Sequence, residues 1–310
     1  MSTAGPDLVV VIVTWNSAGE IRAALDSVLA DLASTALDWR VIVVDSASTD
    51  GTPELIRADY PQVDLVASAE NLGFGRANNL GLTRAGFGTE KSPRAGYLLN
   101  PDTITHPGAT QILFDALMSA DDIGWAGARL EYGDGSFQHG AFRFPGLRQL
   151  WAEFFPTPGR WIEGPFNGRY PRALYDAGEP FDVDFTLGAT MMLRGEMIRQ
   201  TGMFDLQFFM YCEEIDWAWR ANRAGWRVVC APKAVVTHLG GQSTSKIRPQ
   251  SVINLWTSRM QLYVKYYPKW KVVLASKLIA AGMARKVKAE RDPELRSAYE
   301  TVRYTAIGMR

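Results

Sequence analysis

The chain has 310 residues, with 33 basic and 33 acidic side chains, 47% hydrophobic residues and 21% charged ones. That apolar content excludes a disordered or collagen-like chain, and two cysteines, Cys212 and Cys230, exclude a disulfide framework or a cysteine-rich zinc site. The zero net charge hides a division: residues 1–216 hold 15 basic and 29 acidic side chains, whereas residues 217–289 hold 14 basic and no acidic ones.

The first apolar run, Leu8–Val13, is far short of the roughly 18 residues of a spanning helix, and nothing basic precedes it as in a signal peptide. A cytoplasmic protein is expected. The run itself is β-branched and reads as a strand buried on both faces. Ile21, Leu25, Val28, Leu29 and Leu32 follow at helical spacing, and Arg40–Val44 reads as a second buried strand ended by Asp45. Thr52 is expected as N-cap and Pro53 at the first turn of the next helix. Asp64–Ala67, a helix over Asn78–Ala85 and a strand Gly96–Leu99 continue the alternation. Such strand–helix repeats predict an α/β fold with a mainly parallel sheet and helices on both faces, and ligands of such sheets sit beyond the carboxyl ends of the strands.

Residues 133–181 show little periodicity and many aromatics, Trp151 and Trp161 among them. A loop of that length inside a compact domain is usually functional. Regular structure is expected to return near Phe185–Leu193, with a helix over Glu214–Ala224 and short strands at Val228–Cys230 and Ala234–Val236. From about Ser243 onward the pattern is helical and basic, which divides the chain into a domain at 1–242 and a helical segment at 243–310.

Three features fall at strand ends: Thr14–Ser17, Asp45–Gly51, and Asn100-Pro101-Asp102. Asp45 suits a base or ribose, although Asp45 and Asp50 also fit as turn and cap residues. Asp102, just past a buried strand, suits a hard divalent cation such as Mg2+ or Mn2+, although a lone Asp at such a place caps a turn more often. In Glu213-Glu214-Ile215-Asp216, Glu213 and Asp216 share a helix face and Asp216 pairs with Arg220 one turn on. These acids lie beside Phe208–Tyr211 and Trp217, where a desolvated carboxylate would serve as general base; a helix start that merely favours acids is the alternative. His238, at a strand end, can meet phosphate or metal or be structural.

In this order the motifs resemble the family 2 glycosyltransferases of GT-A fold, in their rhamnosyltransferase-like branch. The resemblance spans about residues 8–245 and includes Asn71-Leu72-Gly73-Phe74-Gly75-Arg76-Ala77-Asn78-Asn79 and Gly188–Arg194. It implies inverting transfer of a sugar, rhamnose or another hexose, from a nucleoside diphosphate sugar (dTDP-rhamnose or a UDP-sugar) to a saccharide or lipid-linked saccharide acceptor, with Mg2+ or Mn2+. By position, Thr14, Asn16, Asp45, Ser46, Asn71, Gly73, Arg76, Asn78 and Asn100 would hold the donor. Asp102 would be the last acid of the metal motif, with Asn100 replacing its first acid, and His238 a further metal ligand. Glu214 takes the base position, with Asp216 and Glu213 as rivals.

Other classes fit less well. An NAD(P)-dependent oxidoreductase would want Gly-x-Gly-x-x-Gly after the first strand, where Thr14-Trp15-Asn16-Ser17-Ala18-Gly19 stands instead. A nucleotide-sugar-binding protein without catalysis shares most of the motifs. Nucleic-acid binding has no recognisable motif. The late basic segment interleaves Lys and Arg with Trp256, Tyr263, Tyr266, Tyr267 and Trp270, a composition suited to a membrane surface; internal charge compensation or a homodimer contact would use it equally.

Overall fold

A computed structural model describes residues 5–89, 92–240 and 249–309. The first half runs β1 (Leu8–Thr14), α1 (Ile21–Ala33), β2 (Trp39–Ser46), α2 (Thr52–Asp59), β3 (Asp64–Ser68), α3 (Gly73–Ala85), β4 (Ala95–Leu99), β5 (Thr103–Thr105), α4 (Ala109–Met118) and β6 (Ile123–Glu131). Next come β7 (Phe137–Gln138), β8 (Ala141–Phe142), α5 (Leu147–Phe154), α6 (Gly159–Ile162), α7 (Arg172–Asp176), β9 (Phe181–Val183), β10 (Phe185–Thr186) and β11 (Thr190–Arg194). The chain continues through α8 (Gly195–Thr201), α9 (Glu213–Arg223), β12 (Arg227–His238), α10 (Pro249–Tyr266), α11 (Lys269–Ala289) and α12 (Pro293–Ile307).

The strands order as β3-β2-β1-β4-β11-β6-β12-β5. β1, β2, β3 and β4 run parallel and β6 pairs β12 in parallel, while β11 is inserted antiparallel between β4 and β6. Alternation along the strands divides the core. Leu8, Val10 and Ile12 face α1, α2 and α4, whereas Val9 and Val11 face α3, α8 and α9. The near-continuous apolar runs of β1 and β2 follow from this, since each strand is covered twice.

Several expected boundaries move. β12 is one strand across Pro232, because a register shift between Ala231 and Val235 takes the proline out of the ladder. The regular structure expected near 185–193 is two strands parted at Gly188, since β10 leaves the main sheet to pair β8. α3 starts at Gly73, five residues earlier than its polar first turn suggests. Thr52 is the first residue of α2 rather than its cap. The Asp50 carboxylate accepts from the Thr52 backbone N–H and hydroxyl, at 3.1 and 2.6 Å. Residues 133–181 are built of short strands and single-turn helices too brief to show a period.

The domain boundary expected at residues 242–243 lies outside the described residues. The helices beyond it form a core of their own around Trp256, Met260, Tyr263, Ile279, Met283 and Val302, into which α5 inserts Leu150 and Phe154. The Phe154 ring seats on Gly282, where a Cβ would fall 2.1 Å from it. α10 also packs on the larger half: Trp219 stacks on Tyr266 with ring centroids 4.4 Å apart, and Ser258 Oγ donates to the Met210 carbonyl at 2.8 Å. Among the described residues no helix is long and apolar enough to cross a membrane.

Candidate active site

At the carboxyl end of the sheet, the loops after β1 and β2 fasten to each other. Thr14 Oγ1 donates to Asp45 at 2.8 Å, and Asp45 also accepts from the Ser48 N–H and hydroxyl, at 3.0 and 2.6 Å. Asp45 is 1% exposed, so its carboxylate shapes the loop from within. Asn16 and Ala47 hold positive φ, 51° and 60°, an uncommon conformation that clusters at ligand sites. Asn16 Oδ1 accepts from the Thr49 N–H at 2.8 Å, and its own N–H donates to Ser48 Oγ.

The entry to α3 is fixed from the end of β2. Ser46 Oγ accepts from the Leu72 N–H at 2.7 Å and donates to Asn71 Oδ1 at 3.4 Å, and Asn71 Oδ1 also accepts from the Gly73 N–H at 2.9 Å. Residue 73 is confined to glycine by φ of +71° and by the Phe209 carbonyl, 3.0 Å from where a Cβ would sit. Asn78 is buried and donates to the Phe74 carbonyl at 3.0 Å. Arg76 remains exposed at the rim, 3.9 Å from Glu70. Asn79, which the sequence reading passed over, exchanges two hydrogen bonds with the Phe204 backbone.

The third strand-end group lies farther along the rim. Asn100 donates from its backbone to the Ala189 carbonyl at 3.0 Å, and β5 then pairs with the end of β12 so that His238 meets Thr103. Asp102 therefore stands 3.5 Å from His238 Nε2. Burial holds the imidazole below its usual range against the pull of Asp102, which keeps it neutral and able to ligate. Gln138 reaches His238 Nδ1 through Nε2 at 3.3 Å, while its buried Oε1 has no partner. Half a turn of this amide puts Oε1 on Nδ1–H and leaves the Nε2 lone pair toward Asp102. A carboxylate and a neutral imidazole so arranged fit Mg2+ or Mn2+. No third His, Cys, Asp or Glu converges on them among the described residues, so phosphate oxygens and water would complete the coordination.

The fourth group comes from α9. Tyr211 and Cys212 both hold positive φ, 70° and 67°, and this turn launches the helix with Glu213, Glu214 and Asp216 in its first turn. Their surroundings separate them. Asp216 is 0% exposed and bonds Arg220 Nε at 2.9 Å, Lys265 Nζ at 2.6 Å and the Tyr266 hydroxyl at 2.7 Å, a hub between α9 and α10. Glu213 is buried with Oε2 unpartnered, and burial together with the neighbouring Glu214 charge raises its carboxyl to about 8. Glu214 is half-buried, close to Gly188, where a Cβ would touch its Cγ at 4.0 Å and Phe74 at 3.7 Å. Desolvation raises it to about 7, against the backbone amides of the first turn and the charge of Arg259. Gly188 precedes Ala189, the partner of Asn100, so the Glu214 carboxyl and the Asn100–Asp102 turn lie on either side of one short stretch of backbone.

A sheet of this order with such a rim defines a glycosyltransferase of the GT-A kind. Residues 9–194 match the model of the family "Glycosyl transferase family 2". The chain is 31% identical over 247 residues to the N-acetylglucosaminyl-diphospho-decaprenol L-rhamnosyltransferase of Mycobacterium tuberculosis, covering 77% of this chain and 78% of that protein. A shorter stretch of 81 residues, 26% of this chain and 22% of the relative, is 41% identical to the succinoglycan biosynthesis protein ExoO of Rhizobium meliloti. The fold is similar to that of GalNAc-T7 with UDP, GalNAc and Mn2+, at TM-score 0.60 and 14% identity over 97% of this chain; this chain spans 55% of that one. It is also similar to the mannosyltransferase PcManGT from Pyrobaculum calidifontis in complex with GDP-Man and Mn2+, at TM-score 0.56 and 18% identity, covering 99% and 86% of the two chains. The chain belongs to glycosyl transferase family 2 and is a glycosyltransferase.

Proposed function

We propose that the enzyme inverts the anomeric centre as it moves a sugar, rhamnose in the first instance, from a nucleoside diphosphate sugar to a hydroxyl of a lipid-linked saccharide. The observation that carries this reading is the placement of one carboxyl, Glu214, tuned near neutrality and free of side-chain partners, beside the turn that presents Asp102. Glu214 takes the proton of the acceptor hydroxyl as its oxygen attacks C1 of the sugar; the bond from C1 to the diphosphate oxygen breaks, and the diphosphate leaves on the opposite side. The anchored loops after β1, β2 and β3 form the nucleotide cradle, with exposed Arg76 at its edge. Asp102 and His238 would hold a divalent cation, whose charge neutralises the departing diphosphate. The relative's acceptor and the neighbours' nucleotide sugars and Mn2+ support the substrate classes.

The second part of the proposal is a peripheral station on an anionic membrane surface. Trp270, Val273 and Leu274 are exposed on one face of α11 among Lys269, Lys271 and Lys277, which have no carboxylate partner among the described residues. The functional test is a thermal-shift screen of dTDP-, UDP- and GDP-sugars with and without Mn2+, followed by proton NMR of the product. One nucleotide should raise Tm in a Mn2+-dependent way, Asp102→Ala should lose that dependence, and the product should carry the anomeric configuration opposite to the donor's. Retained configuration, or Mn2+-dependent donor binding unchanged in Asp102→Ala, would overturn the reading.

A further inference from the structure

Against Ile215, the neighbour of Glu214, lies a cavity of about 490 Å3 between the 142–169 segment, α9 and α10. That is room for a mono- or disaccharide, within the roughly 300–1,000 Å3 usual for small-ligand sites. Its apolar wall is Phe142, Phe185 and Tyr263, with Phe142 and Phe185 stacked at 5.7 Å. Ile215, next to Glu214 in α9, closes it on the catalytic side. The polar lining is one-sided. Arg143, Arg169 and Arg259 reach the cavity, and the single acid among its lining residues is Glu153.

Two of these guanidiniums are committed. Arg259 pairs with Glu153 and Arg169 with Glu163, which lies outside the lining. Arg143 has no carboxylate or hydrogen-bond partner for its side chain among the described residues; it rests over the Tyr170 ring at 4.8 Å. In addition, the Tyr263 hydroxyl is buried with no hydrogen-bond partner. The unpaired guanidinium of Arg143 presents a planar fork of donors that suits phosphate oxygens in bidentate geometry. α5 supplies another wall of the cavity and seats Phe154 on Gly282 of α11, the helix whose outer face carries Trp270, Val273 and Leu274.

We infer that this cavity is the acceptor site and that Arg143, with Arg169 and Arg259 behind it, recognises the diphosphate of a polyprenyl-diphosphate-linked saccharide. The inference rests on the proposed lipid-linked acceptor and specifies the residues that select it. Arg143 is a binding residue, away from the proton transfer at Glu214.

The test compares wild type with Arg143→Gln in two assays. In the first, binding of farnesyl diphosphate is followed by tryptophan fluorescence with the donor site filled by nucleotide, which needs no turnover. Wild type should bind, and the variant should bind about tenfold or more weakly, the range expected for a lost charge-assisted hydrogen bond. Absence of binding by wild type, or equal affinity in both proteins, would overturn the inference. In the second assay, acceptor KM is measured for farnesyl-diphosphate-linked N-acetylglucosamine and for neutral octyl N-acetylglucosaminide. The variant should raise the first KM alone and leave donor KM unchanged; an equal rise for both acceptors would reduce Arg143 to a wall of the cavity. Failure of wild type to glycosylate either acceptor would count against the proposed function, while the binding assay would still decide the role of Arg143.

Discussion

Glu213 and Glu214 are adjacent, share a helix turn and have opposite prospects. Glu214 is half-buried with no side-chain partner, and Glu214→Gln should lower kcat by about 10²–10⁴ while donor affinity, read by the Tm shift with nucleotide sugar, stays the same. Because a base works deprotonated and this carboxyl lies near 7, the wild-type kcat should fall as pH drops through about 7. A pH profile flat from 8 to 6 would remove Glu214 from the role. Glu213 affects stability. Its carboxyl is raised to about 8 in the folded protein, above the 4.5 of a free glutamate, so the native state holds a proton that the unfolded chain gives up. Stability from this group is therefore present below about 4.5 and lost as pH rises toward 8. Glu213→Gln should narrow that loss, and the urea midpoint of the variant should exceed wild type at pH 8.5 by more than at pH 5.

The sequence showed this acid cluster through i,i+3 and i,i+4 spacing, and the Asp216–Arg220 pair is found as expected. What spacing could not show was the company from distant segments. Arg259 and Lys265 lie 43 or more residues downstream, and the left-handed turn at Tyr211 and Cys212 uses residues that carry no glycine-like signal. Gln138 escaped for the same reason, since its value comes from standing beside His238, 100 residues away.

At the scale of elements, the buried strands were legible because double burial leaves an unmistakable apolar run, and α1 because its apolar face repeats at helical spacing. α5 to α7 were not, since elements of four to eight residues span barely two turns. The joint between α9 and α10 is the element-level feature with the largest energetic stake. Asp216 answers Arg220, Lys265 and Tyr266 at once, and Lys265 also bonds Asp205 at 2.7 Å. Asp216→Asn leaves two cations facing a neutral amide in a closed setting, so chemical denaturation should show a loss of about 2–4 kcal/mol. Donor affinity at the far loops should survive below the unfolding transition. A variant as stable as wild type would show that the hub contributes no net stability.

For the molecule as a whole, the charge division seen in the sequence has two destinations. Arg220, Arg259 and Lys265 turn onto Asp216, Glu153 and Asp205 of the larger half, and Arg227 and Lys233 pair with its acids at the surface, which fits internal compensation. Trp256 and Tyr263, which looked suited to a headgroup layer, are buried in helix packing instead. The cations of α11 keep the outward role. Co-sedimentation should show binding to anionic but not neutral vesicles, weakened by salt, and Trp270→Ala combined with Lys269→Gln and Lys271→Gln should abolish it, each cation contributing about 1 kcal/mol at the surface. Equal sedimentation of wild type and triple variant would assign the α11 face to another partner.

The hub at Asp216 also orders events in time. Ribosomes deliver the nucleotide loops, the Asp102 turn and Glu214 well before Lys265 and Tyr266. Until α10 emerges, the helix bearing Glu214 has neither its Lys265 tether nor the Trp219–Tyr266 stack, so the loops proposed to cradle the nucleotide are complete before Glu214 is anchored. On the proposed reading, transfer competence follows late in synthesis, when α10 docks and the cavity between α5, α9 and α10 acquires its third wall. The side proposed for the acceptor is assembled last, after the loops proposed to hold the donor.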